Sequence, residues 1–317
     1  MKLLTRLIGL TLMILIPACQ SSPGTITIGY VQITQDPSLD AAKAGLFRAL
    51  ADSGFIIGQN IKVIDNNAQG DLSMISTILQ SFRSQGVDLV VTSSTPCMAA
   101  AAHGIRDVPV VFTAAFGPDQ IGISPVPANL YGVYEPLPAE DFVGLMVECL
   151  PGLSRVGIPY NNSEPNAEYA TGILKAEFSR RGIQVVTAPV SSVNDLVQAA
   201  QYLAGQRIDA FVTAADNTVN LGMPILARVA SDSDIPLFVS DPPQVAKGAA
   251  IGYGSGYDAW GYQSGLKVVE ILRGRAGQMI PIEPTSAREL IVNLTNCADQ
   301  GLAVPPAVLE RASQIIQ

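Results

Sequence analysis

From residue 25 onward, short apolar runs alternate with longer segments in which apolar residues recur every three or four positions. The run "TITIGYVQI" predicts a strand, and "SLDAAKAGLFRALADSG" places Leu39, Ala42, Leu46 and Leu50 on one helical face before stopping at Gly54. "IKVID" predicts the next strand and "DLSMISTILQSFRSQG" the next helix, and "VDLVVT" and "VPVVFT" are strands with a helix between them. Such alternation predicts a mainly parallel sheet covered by helices on both faces. The pattern breaks near "LYGVYEPLP". Helix "AEDFVGLMVECL" then opens a second run, with strands "RVGIPY", "IQVVTAP", "IDAFVTA", "IPLFVS" and "AAIGYG".

The two runs resemble each other. "VDLVVTSSTP" (87–96) aligns without a gap on "IDAFVTAADN" (208–217), and "VPVVFTA" (108–114) on "IPLFVSD" (235–241), in the same order. Buried parallel strands are Val/Ile-rich everywhere, but the shared Asp after the first apolar residue, the shared Thr at the strand end and the shared Pro go beyond that. The expectation is α/β: two similar doubly wound parallel-sheet lobes joined by a hinge, residues 25–134 and 135–284, with a cleft between them.

The first residues change the picture of where the protein works. Lys2 and Arg6 precede an apolar run from Leu7 to Ile16, too short for a membrane-spanning helix, which needs about 20 residues. Small Ala18 then precedes Cys19. This resembles the lipobox of bacterial lipoproteins: a signal peptide over 1–18, a lipidated Cys19, and a tether over 19–24. An ordinary secretory signal with an incidental cysteine is the alternative. The expected location is outside the cytoplasm, anchored to a membrane in the periplasm or at the cell surface. Three cysteines remain, Cys97, Cys149 and Cys297, and whether Cys149 pairs with Cys297 is left open by their spacing. The only histidine is His103, which argues against a His-ligated metal site and a Ser-His-Asp triad. A net charge of −8 without basic clusters argues against nucleic acid as a partner.

Ligands of open α/β sheets bind beyond the carboxyl ends of the strands. There the first lobe offers Ser93, Ser94, Thr95 and Thr113, all neutral donors. The second offers Asp216, matched to Thr95, and Asp241, matched to Ala114. Thr95 is placed to cap a helix starting at Pro96, whose positive end with the adjoining hydroxyls suits a carboxylate. Asp216 and Asp241 suit an ammonium. Helix capping without a ligand is the plainer alternative at each place. The complement of the two jaws is an amino-acid zwitterion. Tyr160 and the cluster Tyr253, Tyr257 and Trp260 are candidates for stacking on a ligand or packing the hinge, and Asn161, Asn162 and Ser163 are polar loop residues at a strand end.

These residues, with "NAQGD" (67–71), "YNNSEPN", "ADNTV" (215–219) and "NLTNCADQGLAVPP" near the end, make nearly all of the chain after Cys19 similar to the ABC transporter substrate-binding proteins of the type I periplasmic-binding fold, in the branch associated with tryptophan and other aromatic amino acids. The resemblance implies two lobes joined by three crossings, with a C-terminal tail (285–317) returning toward the first lobe. It implies closure on one ligand and delivery to a membrane permease and ATPase. It assigns the carboxylate to Ser94 and Thr95 and the ammonium to Asp216, with Asp241 and Tyr257 also on matching positions; Thr113 and Asn162 complete the candidate ligand-binding set. The chain departs from the family's pattern at Asp36-Pro37, where His-Pro is common, at Cys97, where alanine usually follows Thr-Pro, and at Asp258, where a second tyrosine is common.

A binding protein feeding an importer is the leading reading. A lipoprotein that senses a ligand and signals to a membrane partner would use the same fold and site. An enzyme using the cleft carboxylates as acid and base is disfavoured, because neither a nucleophile–base arrangement nor a phosphate loop is recognisable. No cofactor is implied.

Overall fold

The computed structural model describes residues 25–275 and 280–317; the expected signal peptide, Cys19 and the tether lie outside the described residues. The first sheet is built from β1 (Ile26–Gln32), β2 (Ile61–Asn67), β3 (Leu89–Ser93), β4 (Val110–Ala115) and β5 (Leu130–Tyr134). Between these strands run α1 (Pro37–Asp52), α2 (Leu72–Ser84) and α3 (Thr95–Gly104). The chain then crosses to a second sheet with α4 (Ala139–Cys149), β6 (Arg155–Tyr160), α5 (Pro165–Arg180), β7 (Gln184–Pro189), α6 (Leu196–Gly205) and β8 (Ala210–Thr213). It continues through α7 (Asn217–Leu221), α8 (Met223–Asp232), β9 (Leu237–Val239) and β10 (Ile251–Ser255).

From here the chain departs from the expected boundaries. Helix α9 (Tyr257–Glu270) returns to the first lobe and packs along α1, and β11 (Glu283–Pro284) extends the first sheet beside β5. The chain crosses once more into β12 (Arg288–Asn293), α10 (Leu294–Asp299), α11 (Pro306–Arg311) and β13 (Gln314–Ile316), which belong to the second sheet. The strand orders are β11-β5-β4-β3-β1-β2 and β13-β12-β10-β9-β8-β6-β7. Pairing is parallel throughout the first sheet; in the second, β12 runs antiparallel to β10. The tail over 285–317 therefore joins the second lobe, not the first, and the segment that returns is α9 with β11, inside the span assigned to the second lobe.

Packing explains the correction. Alternate residues of the first sheet point to opposite faces. Val90 and Phe112 face α2 and α3 through Phe82 and Met98, whereas Val91 and Val111 face the layer of α1 and α9 through Leu46 and Val268. Without α9, that second face would be covered by α1 alone. The approach of α1 and α9 is close enough to need glycine: a Cβ on Gly261 would lie 1.8 Å from the carbonyl oxygen of Ala42, and one on Gly45 would lie 2.0 Å from that of Asp258. The Leu290 and Val292 side chains likewise enter the core of the second lobe with Phe142, Phe178 and Phe238, which draws the tail there.

The three remaining cysteines are buried free thiols. Cys149 and Cys297 lie in one apolar cluster of the second lobe, and Cys97, on the first turn of α3, packs into the first-lobe core. Burial pushes the Cys97 thiol up to about 12, so it is inert filler rather than a reactive group.

Candidate functional site

The parallel registers bring the carboxyl ends of the central strands level. Ser93 pairs with both Gln32 and Thr113 in the first sheet, and Thr213 pairs with Val239 in the second. Beyond these ends a small cavity of about 30 Å3 lies between the lobes. The first lobe contributes Asp36, Ser94, Thr95, Ala114 and Phe116, and the second Asn166, Asp216, Asn220 and Asp241; Glu135, Tyr257 and Trp260 come from the crossings.

At the hydroxyl jaw the cap is Ser94, not Thr95. The Ser94 Oγ accepts from the Cys97 amide at 3.5 Å, and Thr95 is the first helical residue, its Oγ1 accepting from the Phe116 amide at 3.0 Å. Each hydroxyl accepts in these bonds and so keeps its own proton to donate. Ser94 takes φ 108° and Ala114 φ 50°, both in the region that favours glycine, so backbone strain is concentrated where the strand ends meet the cavity. Thr113 is buried behind Ser94, with its carbonyl accepting from the Ser94 amide at 3.2 Å, and does not line the cavity.

At the acid jaw both aspartates are held by hydrogen bonds. Asp216 caps α7, accepting from the Val219 amide at 2.9 Å and the Asn161 amide at 2.6 Å. Burial, and then the neighbouring Glu164 carboxylate, raises its pKa well above the ordinary range. Asp241 accepts from the Tyr257 hydroxyl at 2.7 Å and from Asn220 Nδ2 at 2.5 Å; burial pushes it up to about 6 against those two bonds. The Tyr257 ring leans on Trp260, centroids 5.3 Å apart, while Trp260 Nε1 donates to the Val133 carbonyl at 2.7 Å, so a fixed aromatic wall stands beside Asp241.

Asn162 is exposed and does not line the cavity. Its neighbour Glu164 is the residue that matters in that loop. Glu164 accepts from the Thr218 and Asn217 amides and both their side chains, and so holds the start of α7 and Asp216 with it. Tyr160 stacks under Lys175, and Tyr253 faces a separate groove of the second lobe with Asp141; neither reaches the cavity.

The polar lining residues that the sequence pattern does not mark as binders include Asp36, Glu135, Asn166 and Asn220. Asp36 caps α1 and also meets the second lobe, where Gln244 Nε2 lies 2.8 Å from both of its carboxylate oxygens and Lys247 Nζ lies 2.7 Å from Oδ2. Glu135, in the first crossing, accepts from the Leu137 amide at 2.8 Å. Burial raises its pKa, against the pull of the Ser255 hydroxyl and the Arg288 charge. Arg288 in turn donates to Ser255 Oγ at 3.1 Å and to the Thr285 and Ala287 carbonyls. One polar chain thus ties the three crossings together beside the cavity. The signal for Asp36 was its place before Pro37, a helix-start pattern; Glu135 and Asn220 had none.

The cavity is therefore lined by four buried carboxyls and no lysine or arginine, with hydroxyls and a helix N-terminus on one side. Such a lining complements a small molecule that carries a cation and an anion. Among the described residues no cluster of His, Cys, Asp and Glu is arranged to hold a metal ion, and no helix is long and apolar enough to cross a membrane.

Comparison with known proteins agrees with this geometry. A tyrosine-binding protein of Clostridioides difficile is 32% identical over 270 residues, covering 84% of this chain and 78% of that protein. The crystal structure of an ABC domain from Streptococcus pneumonia in complex with L-Trp is 26% identical, covers 92% of this chain and 100% of that one, and superposes with a TM-score of 0.86. The ligand-free, open structure of a Clostridium difficile substrate-binding protein with adhesive properties is 30% identical over 92% of this chain and 99% of that one, yet reaches only 0.68. The difference matches the direct contacts of Asp36 with Gln244 and Lys247: the two lobes are closed on each other. The architecture is the type I periplasmic-binding fold. The model of the ABC transporter substrate binding protein family matches residues 27–316, and the chain belongs to that family.

Proposed function

We propose that this chain is the lipid-anchored receptor of an ABC importer, taking an aromatic amino acid as its zwitterion into the cleft and presenting the closed form to a permease and its ATPase. The observation that carries the ligand class is the asymmetry of the cavity: hydroxyls and the α3 N-terminus stand on the first-lobe wall, whose one carboxylate, Asp36, is paired with Lys247, and Asp216 and Asp241 stand on the second-lobe wall. Ser94 and Thr95 take the carboxylate, Asp216 the ammonium, and Tyr257 with Trp260 flanks the side chain. The tyrosine-binding and L-Trp-bound relatives support the aromatic class.

The junction at Ala18-Cys19 supports a lipid anchor at Cys19, which keeps the receptor outside the cytoplasm, near its permease. No turnover of the ligand is expected. The test is thermal denaturation of the purified chain against the twenty amino acids, with mass spectrometry of whatever copurifies. A ligand at 100 times its dissociation constant adds about 2.7 kcal/mol to stability. Flat melting temperatures across the panel, together with a non-amino-acid in the spectrum, would refute the reading.

A further inference from the structure

Two asparagines that line the cavity are oriented by acids. Asn166 Nδ2 donates to Glu164 Oε2 at 3.0 Å and to the Ala215 carbonyl at 2.8 Å. Asn220 Nδ2 donates to Asp241 Oδ2 at 2.5 Å. A carboxylate accepts only, so the amide nitrogen must face it and the amide oxygen must face away. Neither Asn166 Oδ1 nor Asn220 Oδ1 has a partner, and both atoms are buried on residues 4% and 5% exposed. Buried amide oxygens seldom go unpaired. Two that border one cavity mark two places where a donor is missing.

The two places are distinct. Asn166 is bonded to Ala215, the residue before Asp216, at the proposed ammonium site. Asn220 lies a helical turn beyond Asp216, where its amide donates to Asp216 O, and it shares Asp241 with the Tyr257 hydroxyl. It therefore stands at the aromatic wall. The first acceptor is tied to the Asp216 side of the cavity and the second to Asp241 and Tyr257.

Building on the amino-acid reading above, we propose that Asn220 determines specificity: its Oδ1 accepts a hydrogen bond from a donor on the ligand's aromatic side chain, a phenol O–H or an indole N–H, while Asn166 Oδ1 joins Asp216 on the α-ammonium. The cleft then selects tyrosine or tryptophan over phenylalanine, because phenylalanine fills the same space and leaves Asn220 Oδ1 unpaired. A site built to hydrogen-bond a substrate group discriminates strongly against the analogue lacking it.

Calorimetric titration of the unliganded full chain with L-tyrosine, L-tryptophan and L-phenylalanine tests this. The expected result is that at least one of the first two binds about tenfold or more tighter than phenylalanine. In Asn220→Ala that gap should close, through weaker binding of the preferred ligand, with phenylalanine changed less than about threefold. Equal affinities in the unmodified chain overturn the inference and leave the amino-acid reading standing. So does an equal loss for all three in the variant, which would move Asn220 to the ammonium. Failure of every amino acid to bind removes the reading and the inference together. The unmodified chain decides the matter alone if Asn220→Ala does not fold.

Discussion

Lys247 of the second lobe reaches across the cleft to Asp36 of the first, Nζ 2.7 Å from Oδ2, although the two are more than two hundred positions apart in sequence. Asp36 is almost fully buried there, and Lys247 also donates to the Asn220 carbonyl at 3.0 Å, so the pair binds the closed form at the edge of the acid jaw. Removing one member of a buried charge pair leaves the other uncompensated. Lys247→Met should therefore destabilise the closed form and weaken ligand binding about tenfold, roughly 1.4 kcal/mol. The loss should appear as faster dissociation in stopped-flow traces and as a larger radius of gyration in the presence of subsaturating ligand. An unchanged dissociation rate would show that the contact does not help to hold the cleft shut.

Asp216 is a stronger test of the ammonium site. Its backbone bonds to Val219 and Asn161 hold its carboxylate in place beside the cavity. Asp216→Asn keeps the side-chain size and removes the charge together with one of the two backbone bonds, and should weaken ligand binding about 100-fold, roughly 3 kcal/mol. Titration calorimetry reads the change, with the melting temperature of the unliganded variant as the control for folding. Binding within a factor of three of the original would place the ammonium elsewhere.

The raised acids give the unliganded chain a pH dependence of definite sign. Asp241 titrates at about 6 when folded and near 3.8 as a free side chain, so between those values the folded chain holds a proton that the unfolded chain has released. Its contribution to stability is present below about 4 and is lost as pH rises to about 6. Asp216 is shifted in the same direction. Binding of a ligand ammonium favours the ionised acids, so affinity should rise as pH passes upward through the same range while unliganded stability falls. Melting curves and binding titrations between pH 4.5 and 7.5 check both slopes. Asp241→Asn should flatten the first; an identical slope in the variant would mean that another group is responsible.

The helix contact in the first lobe carries its own prediction. Gly261 faces the backbone of Ala42, and the space for a side chain is already occupied by a carbonyl. Gly261→Val should force α9 away from α1 and cost about 3 kcal/mol, at the upper end of overpacking effects. Denaturant titration measures it. A variant as stable as the original would show that the two helices separate freely.

Much of the cleft was legible because strand ends carry sites in this class of sheet, and the internal repeat lets the two sets of ends be read against each other. Ser94, Thr95, Asp216, Asp241 and Tyr257 all meet at the cavity for that reason. Thr113 fails because its side chain points into the sheet layers instead of beyond the strand end, and Asn162 because its loop turns it to solvent. The contacts that close the lobes, Asp36 with Gln244 and Lys247, join segments with no shared periodicity, so no local pattern announces them. The same holds for the tail: "ELIVN" reads as a strand, but its choice of sheet depends on which edge has room for Leu290 and Val292.

The route of α9 and β12 bears on how the chain is made. The first lobe needs residues beyond 256 to cover one face of its sheet, and the second needs β12 and β13 to finish its own. A nascent chain that has emerged as far as β10 therefore has two unfinished sheets and no independent domain to settle into. Completion of both lobes is thereby tied to the last third of the chain, and each lobe keeps an apolar face that only those late residues cover.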